Sequence, residues 1–326
     1  MSSDLLIVIA LALLFSFLNG VRDAANIVAT MISSRAFAPR TALAIAATAE
    51  FAGPFLFGVG VAKTIGADTV EAGALTLTVI IAALLGAIVW NILNGYFGIP
   101  GSSSHTLIGG IVGAVAIAAG WGEIKLPGLT KVLLALFTYP IIGFAVGFVF
   151  TRVIYFLARN ATPRINDFFK RSQLITAIIL GLSHGTNDAQ KSMGIIALGL
   201  VISGSLKTFE VPLWVTVASA AAMATGTSLG GWRLIRTIGG KFYKIRPLHS
   251  FSAQLTSSIV ILSASLFGAP VSTSHVVSSA IIGVGASERF SKVRWSVTGD
   301  ILTAWLVTIP ASAALAAGFY WLLSLI

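Results

Sequence analysis

The stretch Phe97-Gly-Ile-Pro-Gly-Ser-Ser-Ser-His105 occurs a second time as Phe267-Gly-Ala-Pro-Val-Ser-Thr-Ser-His275, with six of nine residues identical. Two further pairs keep the same order along the chain: Gly20-Val-Arg-Asp-Ala24 with Gly185-Thr-Asn-Asp-Ala189, and Lys63-Thr-Ile-Gly66 with Arg236-Thr-Ile-Gly239. The three offsets are 170, 165 and 173 residues. Chance similarity between apolar helices does not predict such a pattern twice at a matching offset. The chain is therefore predicted to consist of two related halves.

The composition is typical of a membrane protein. Of 326 residues, 56% are hydrophobic and 10% are charged, whereas a soluble domain carries roughly 25% charged residues. A helix needs about 20 mostly apolar residues to cross a bilayer, and the chain has ten apolar segments, of which two are interrupted and two are short. They are 5–33, 41–62, 73–97, 105–119, 129–157, 173–203, 211–229, 250–267, 275–286 and 299–325. About 10–12 transmembrane segments are expected. A signal peptide is the alternative for 5–18, but no basic residue precedes it.

Basic residues cluster in four stretches, at 35–40, 158–172, 231–249 and 289–294. The positive-inside rule places such stretches in the cytoplasm, so both termini are expected outside. The same rule explains the net charge of +10 without a nucleic-acid partner. The protein is expected to be a multi-pass protein of the inner cell membrane.

Five segments in each half are an odd number, which turns one half upside down relative to the other. The predicted fold is an all-α polytopic membrane protein of two inverted repeats with discontinuous or re-entrant helices. Residues 1–157 form the first repeat, 158–172 a cytoplasmic linker and 173–326 the second repeat. Transporters use this architecture, with the substrate site at the repeat interface. The chain has no cysteine, which excludes disulfides and thiolate metal sites.

The two Ser-rich elements follow a Gly-x-Pro breaker and precede a short apolar segment. That order places a helix N-terminus within the membrane, with hydroxyl groups at the capping positions. Free backbone N–H groups and the positive end of the helix dipole suit an anion there. The alternative is that the hydroxyl groups only cap a re-entrant turn. Two copies in related positions favour a binding site.

Polar residues interrupt two apolar segments, as Asn19-Gly-Val-Arg-Asp-Ala-Ala-Asn26 and as His184-Gly-Thr-Asn-Asp-Ala-Gln-Lys191. A carboxylate within a membrane costs about 2.5–3.5 kcal/mol on insertion scales and is rarely without function. Its oxygens suit an alkali cation, and the glycines are expected to permit a break in the helix that exposes carbonyl ligands.

Internal ion pairs are the alternative for these residues. Asp23 would then pair with Arg22, and Asp188 with Lys191. The two basic side chains can instead neutralise an anion or extend to the membrane interface.

Three further ionisable residues within the segments are candidates for a role at the site. Glu50 is an acid whose aligned partner in the second half is Met223, so the symmetry fails there. His105 and His275 can carry protons, but we expect each to hydrogen-bond within its own turn.

The chain resembles the inorganic phosphate transporter family (PiT), of the sodium/phosphate symporter type. Gly185-Thr-Asn-Asp-Ala-Gln-Lys191 is a close match to the family signature, and Gly20-Val-Arg-Asp-Ala-Ala-Asn26 matches less well because Arg22 replaces the usual Asn. The resemblance extends essentially from end to end. It implies phosphate contacts at Ser102, Ser103, Ser104, Thr106, Gln190, Ser272, Thr273 and Ser274. It implies sodium ligands at Asp23, Asn26, Asn187 and Asp188, and the accessory candidates are Glu50, Arg22, Lys191, His105 and His275.

The predicted function is import of inorganic phosphate by alternating access, coupled to a cation, with sodium favoured over a proton. Sodium ions are expected as coupling ions, without another cofactor, and the lipid bilayer and a second copy of the chain are the expected partners. A sulfate permease of the same fold and an anion channel are the alternatives. An intramembrane enzyme is disfavoured, because Ser104 and His105 are helix neighbours that do not face each other. ATP hydrolysis is disfavoured because the chain lacks a phosphate loop.

Overall fold

The computed structural model describes residues 2–56, 58–67, 70, 72–99 and 101–325. Within these residues the secondary structure is helical, apart from one isolated bridge between Val70 and Ile124. The helices are α1 (Ser3–Ser33), α2 (Pro39–Leu56), α3 (Gly60–Ala67), α4 (Leu77–Phe97), α5 (Ser103–Ala118), α6 (Leu126–Leu157), α7 (Ile165–Ile202), α8 (Leu213–Leu229), α9 (Trp232–Gly240), α10 (Pro247–Leu266), α11 (Thr273–Glu288) and α12 (Trp295–Leu323). The predicted all-α architecture is confirmed.

The order of the helices is the same in both halves. Helices α1 to α6 correspond to α7 to α12, and a 3₁₀ turn precedes the last helix of each half, at Trp121–Glu123 and Phe290–Lys292. The halves interlock, because α5 packs against α12 and α11 packs against α6. Each short helix is therefore supported by the opposite half. The inversion of the halves and the boundaries at 158–172 stay predictions.

Two short helices depart from the predicted segments. Segment 41–62 is divided between α2 and α3, and the stretch 231–249, predicted as a loop, contains α9. A glycine with positive φ precedes each of these helices, Gly58 at +77° and Gly230 at +69°. Helix α9 is amphipathic and packs one face against α1. Its apolar residues Leu234, Ile235 and Ile238 are buried, whereas Arg233 and Arg236 are exposed.

The predicted breaks in the first and seventh helices are wrong. Helices α1 and α7 run without interruption through the two polar motifs. Gly20 and Gly185 instead allow close contact between helices: a Cβ atom on Gly20 would lie 2.0 Å from the Met223 carbonyl oxygen, and one on Gly185 would lie 2.2 Å from that of Glu50. The backbone of a neighbouring helix fills the space beside each glycine. The helical hydrogen bonds of α1 and α7 persist, and no backbone carbonyl groups become free.

The predicted discontinuities before the short helices are confirmed. Helix α4 ends at Gly98 (φ +67°) and α10 is followed by Gly268 (φ +66°), both in the left-handed region that ends helices. Ser102 and Ser272 then cap α5 and α11, each accepting a hydrogen bond from the backbone N–H three residues later, at 3.1 and 3.3 Å. The predicted breaker Pro100 lies outside the described residues.

Helix α1 ends in a Schellman motif with an unusual residue. The Ala36 N–H donates to the Met31 carbonyl and the Arg35 N–H to the Ile32 carbonyl, both at 3.0 Å. Arg35 occupies the left-handed position, with φ of 56°, and is the one non-glycine residue with positive φ within the described residues. A side chain there costs roughly 1–2 kcal/mol relative to glycine.

Among the described residues, four helices are long and apolar enough to cross a membrane, by length and composition: α1, α4, α6 and α12. Their outward faces are apolar, as shown by Ile141 of α6, which is 70% exposed, and Leu306 of α12, which is 64% exposed. Such a surface is unfavourable in water and favourable in lipid. The chain is a multi-pass membrane protein.

Candidate functional site

The N-termini of α5 and α11 meet inside the protein. Ser104 of α5 donates a hydrogen bond from Oγ to the Val271 carbonyl oxygen, at 2.8 Å. The rings of His105 and His275 lie 4.6 Å apart between their centroids. All residues from 102 to 106 and from 272 to 275 are buried. The structure thus brings together the two Ser-rich tips that the sequence places 170 residues apart.

The first-half carboxylate belongs to a buried network. Arg22 donates to both oxygens of Asp23, at 3.1 and 3.2 Å, and also contacts Asn19 and Asn91. Ser274 at the tip of α11 donates to Asp23 Oδ1 at 2.9 Å. Asp23 therefore has both a basic partner on its own helix and a hydroxyl partner in the opposite half.

Asn26 lies beside the same tip. Its Nδ2 donates to Ser274 Oγ at 2.9 Å and lies 3.4 Å from His184 Nε2. Asn26 therefore links the first polar motif to the second.

The second-half carboxylate is arranged in a corresponding way. Asp188 forms an ion pair with Lys191 and accepts a hydrogen bond from Thr273 Oγ1 at 2.7 Å. Lys191 also donates to Ser103 Oγ at 2.9 Å. Both ion pairs of the alternative interpretation are thus present. They contact the helix tips, so the same groups that pair internally also border the expected anion site.

His184 is a residue of this network to which sequence reasoning gave no role. Its Nδ1 lies 2.7 Å from Glu50 Oε1 and its Nε2 lies 3.2 Å from Asp188 Oδ2. Thr227 of α8 donates to the other oxygen of Glu50. The signal in the sequence was the spacing of four residues between His184 and Asp188, which places them on one face of a helix.

Three side chains are close enough to share a cation. Asp23, His184 and Asp188 each offer one ligand atom, and these atoms all lie within 4.8 Å of one another. Carboxylate oxygens are hard ligands suited to sodium, while an imidazole nitrogen can bind a proton instead. The arrangement can therefore hold either an alkali cation or a proton.

Asn187 and Gln190 have other partners. Asn187 donates to Ser265 Oγ at 2.9 Å. The Gln190 side-chain oxygen accepts from the Val61 and Ala62 N–H groups, at 2.8 and 3.1 Å, and thereby satisfies the first turn of α3. Their roles toward sodium and phosphate stay predictions. A phosphate oxygen would accept from Gln190 Nε2, which now donates to the Gly58 carbonyl oxygen, so phosphate binding there requires release of that bond.

Two asparagines of α4 were missed. Asn91 accepts hydrogen bonds from Arg22 and from Thr106 Oγ1, the latter at 3.2 Å. The Nδ2 atoms of Asn91 and Asn94 are buried and have no hydrogen-bond partner among the described residues. The signal in the sequence was a polar side chain inside the apolar segment 73–97. Such a position is informative because a buried amide without a hydrogen-bond partner is unfavourable.

The expected local hydrogen bonds of the two tip histidines are not formed. Both ring nitrogens of His105 and Nε2 of His275 lack a hydrogen-bond partner within the part of the chain that the structure describes. The rings stack instead, His275 on Trp305 at 3.6 Å between centroids and His105 near Phe137 at 5.8 Å. Each histidine ring thus contacts an aromatic side chain on the last helix of its own half, Phe137 of α6 and Trp305 of α12.

Comparison with known proteins identifies related chains over the full length. The sequence profile of the phosphate transporter family matches residues 19–316. A relative in Bacillus subtilis (strain 168), named "Probable low-affinity inorganic phosphate transporter", is 44% identical over 98% of this chain and 97% of its own length. A relative of the same name in Rhizobium meliloti (strain 1021) is also 44% identical, over 98% of this chain and 96% of its own.

A solved structure described as "The sodium-dependent phosphate transporter" has the same fold. The two superpose with a TM-score of 0.91 over 100% of each chain, at 24% sequence identity. The likeness supports the twelve-helix arrangement described above.

Proposed function

Because the chain belongs to the phosphate transporter family, we propose that it imports inorganic phosphate across the cell membrane by alternating access, coupled to sodium. The observation that carries the proposal is the meeting of the α5 and α11 tips beside two buried carboxylates. Capped helix N-termini attract an anion, and Asp23 and Asp188 supply negative charge for a cation next to it. The coupling follows from linkage, since a bound cation raises anion affinity and the reverse holds equally.

In this structure the hydroxyl groups at the tips donate hydrogen bonds to protein acceptors, so phosphate binding must replace these hydrogen bonds. Ser104 loses its hydrogen bond to the Val271 carbonyl oxygen, and Ser274 loses its hydrogen bond to Asp23. A cation bound at Asp23 favours this exchange because it takes the place of the lost hydroxyl donor. This is the physical route by which the two ligands assist each other.

A proton is the second candidate for the coupling ion. The contacts of His184 with Glu50 and Asp188, at 2.7 and 3.2 Å, favour it. These groups can hold a proton within the same network that borders the anion.

Transport into liposomes separates these candidates. The purified protein is reconstituted, a sodium or a proton gradient is imposed separately, and uptake of labelled phosphate and labelled sulfate is measured. We expect concentrative uptake of phosphate under the sodium gradient. Uptake driven only by the proton gradient would identify a proton, not sodium, as the coupling ion. A preference for sulfate would indicate a sulfate permease. Phosphate uptake that never exceeds equilibrium would indicate a channel.

The tip hydroxyl groups are expected to contact phosphate directly. Ser104→Ala and Ser274→Ala should each weaken phosphate affinity on the order of tenfold to hundredfold, because a hydrogen bond to a charged group is worth about 1.5–3 kcal/mol. Equilibrium binding of labelled phosphate measures the effect. Ser203→Ala, at the end of α7, is the control and should bind normally. Wild-type affinity in both tip variants would exclude the tips as the site.

The orientation of the chain follows from its charge. We propose that the linker 158–172 faces the cytoplasm and that both termini face outward. The chain has no native cysteine, so a single cysteine at position 165 can be labelled cleanly in intact cells. Reaction with an impermeant reagent from outside would contradict this orientation. Assembly as a homodimer remains a further expectation.

A further inference from the structure

A basic pocket of about 790 Å³ opens at one end of the molecule. The four basic stretches of the sequence converge there, each contributing at least one side chain. Its basic residues are Arg35 after α1, Lys170 of α7, Lys244 and Arg246 before α10, and Arg294 before α12. No Asp or Glu is among the described residues that line it. The pocket thus presents a concave surface of one charge, which raises the local concentration of anions.

The positive-inside rule accounts for basic residues on one side of a membrane but not for their arrangement around a cavity. Arg246 has a carboxylate partner, Glu288, at 2.9 Å. The other four basic side chains of the pocket have none among the described residues. One of them, Arg35, occupies a left-handed position where glycine is usual. Unfavourable backbone conformations persist where the side chain serves a function.

The pocket walls are joined to each other and to the interior. The Arg294 N–H donates to the Phe242 carbonyl at 3.1 Å, which ties the start of α12 to the segment after α9. Ser34 lines the pocket and donates to buried Gln173 at 2.9 Å. Gln173 also accepts from Ser250 of α10, at 2.8 Å. Buried polar contacts therefore begin at the pocket floor.

A row of polar residues continues from there along one face of α10, and we name it the polar seam. It consists of Ser250, Gln254, Ser257, Ser258 and Ser265, all buried. Their spacing keeps them on one side of a helix over about 22 Å at 1.5 Å per residue. The last of them, Ser265, accepts a hydrogen bond from Asn187 at 2.9 Å. The seam thus begins at the basic pocket and runs toward the second polar motif, and the buried apolar residue Ile261 interrupts it between Ser258 and Ser265.

Buried hydroxyl groups without protein partners occur on the seam and on α1, which contacts α10. They are Ser257 Oγ of α10 and Thr30 Oγ1 of α1, neither of which has a hydrogen-bond partner among the described residues. Buried polar groups are nearly always bonded to protein, to water or to an ion. These hydroxyl groups are therefore available to bond water or an ion.

Helix α4, the counterpart of α10 in the first half, has no such seam. With the offset of 170 residues, Ser250, Gln254, Ser257 and Ser258 of α10 correspond to Ile80, Leu84, Ala87 and Ile88 of α4. These four α4 residues belong to an apolar core. Because the corresponding helix folds with apolar residues at these positions, the fold does not require polar ones. The polar seam has a role of its own.

We propose that the basic pocket is a second phosphate-binding site, which holds the anion at the mouth of the polar seam before or after it occupies the helix tips. The proposal rests on the proposed function for its transport role, and the binding site itself does not depend on it. Free phosphate and the phosphate of a lipid headgroup share the chemistry that the pocket recognises. The polar seam leads into the protein, which favours the free anion.

Equilibrium binding of labelled phosphate to the purified protein in neutral-lipid nanodiscs tests the proposal. We expect two sites per chain, of which the pocket site weakens as salt is added. Combined substitution by Arg35→Gly, Lys170→Gln and Lys244→Gln should weaken the pocket site on the order of tenfold, since each exposed pair contributes modestly. The control combination Arg40→Gln, Arg159→Gln and Lys241→Gln removes the same charge from the same stretches, outside the pocket, and should leave both sites intact.

The outcomes separate the two proposals. A single wild-type site that responds only to Ser104→Ala and Ser274→Ala would overturn the pocket site, as would unchanged binding in the pocket variant. Loss of the pocket site in nanodiscs containing phosphatidic acid, but not in neutral ones, would assign the pocket to a lipid headgroup and also overturn the proposal. Phosphate binding at the pocket without liposome uptake would instead count against the proposed transport function alone.

Discussion

Asp188→Asn is expected to lower phosphate affinity at low sodium by about 5- to 150-fold, the usual range of coupling between two linked sites. The substitution preserves the shape of the side chain but removes the charge that a cation would contact. Raising the sodium concentration should then restore part of the phosphate affinity, because the bindings of cation and anion are reciprocal. Phosphate binding titrated against sodium measures both effects.

The ion pair with Lys191 gives this variant a second effect, which must be separated from the first. Lys191 is fully buried, and removal of its partner strands a charge at a cost of about 3–5 kcal/mol. Asp188→Asn alone should therefore also lower the unfolding temperature. Adding Lys191→Met should recover stability without recovering the sodium dependence. Asp167→Asn, on the exposed start of the same helix, is the control.

Two results would contradict the cation assignment at Asp188. One is a well-folded Asp188→Asn protein whose sodium dependence equals that of the wild type. The other is full recovery of sodium-dependent binding in the double variant, since it would show that Asp188 only neutralises Lys191. Asp23→Asn is expected to have the smaller effect of the two carboxylates, because Arg22 donates to both of its oxygens.

Gly185→Ala is expected to destabilise the protein and to impair transport together. The new Cβ atom would lie 2.2 Å from the Glu50 carbonyl oxygen and 2.7 Å from the Glu50 Cα atom. Because both are backbone atoms, α2 and α7 must separate, at about 1–3 kcal/mol for overpacking. Separation also moves Glu50 away from His184. Thermal unfolding in detergent and phosphate uptake in liposomes measure the two effects.

A matched substitution at an open position shows whether the effect is steric. Gly95 lies in α4, and a Cβ atom there would meet no atom within 4 Å. Gly95→Ala should therefore keep or raise stability, by roughly 0.5–1 kcal/mol, because alanine is the better helix former. An unchanged unfolding temperature for Gly185→Ala would show that the helices can adapt, and would remove the case for close packing as the role of this glycine.

Motif repetition was sufficient to predict the discontinuities before the two short helices. The two Phe-Gly-x-Pro elements predicted two interrupted helices, and the structure caps both at Ser102 and Ser272. A left-handed glycine and a capping serine act within a few residues, so their effect is visible in the local sequence. The predicted breaks at Gly20 and Gly185 were wrong because glycine signals either a turn or a close contact. Only the neighbouring helix decides between these two.

The sequence by itself determined the helical membrane fold, the repeat and the candidate tips. The length of an apolar segment and a helix cap are visible in a short stretch of sequence, and a repeat is visible when the sequence is compared with itself. The tertiary structure alone decided which distant groups share one network. His184 meets Glu50 of another helix, and Asn91 joins Arg22 to Thr106. It also gathered the four basic stretches around one pocket. Such contacts join residues of different helices that are 15, 69 and 134 positions apart along the chain. They depend on how the helices pack against one another rather than on any periodicity along the chain.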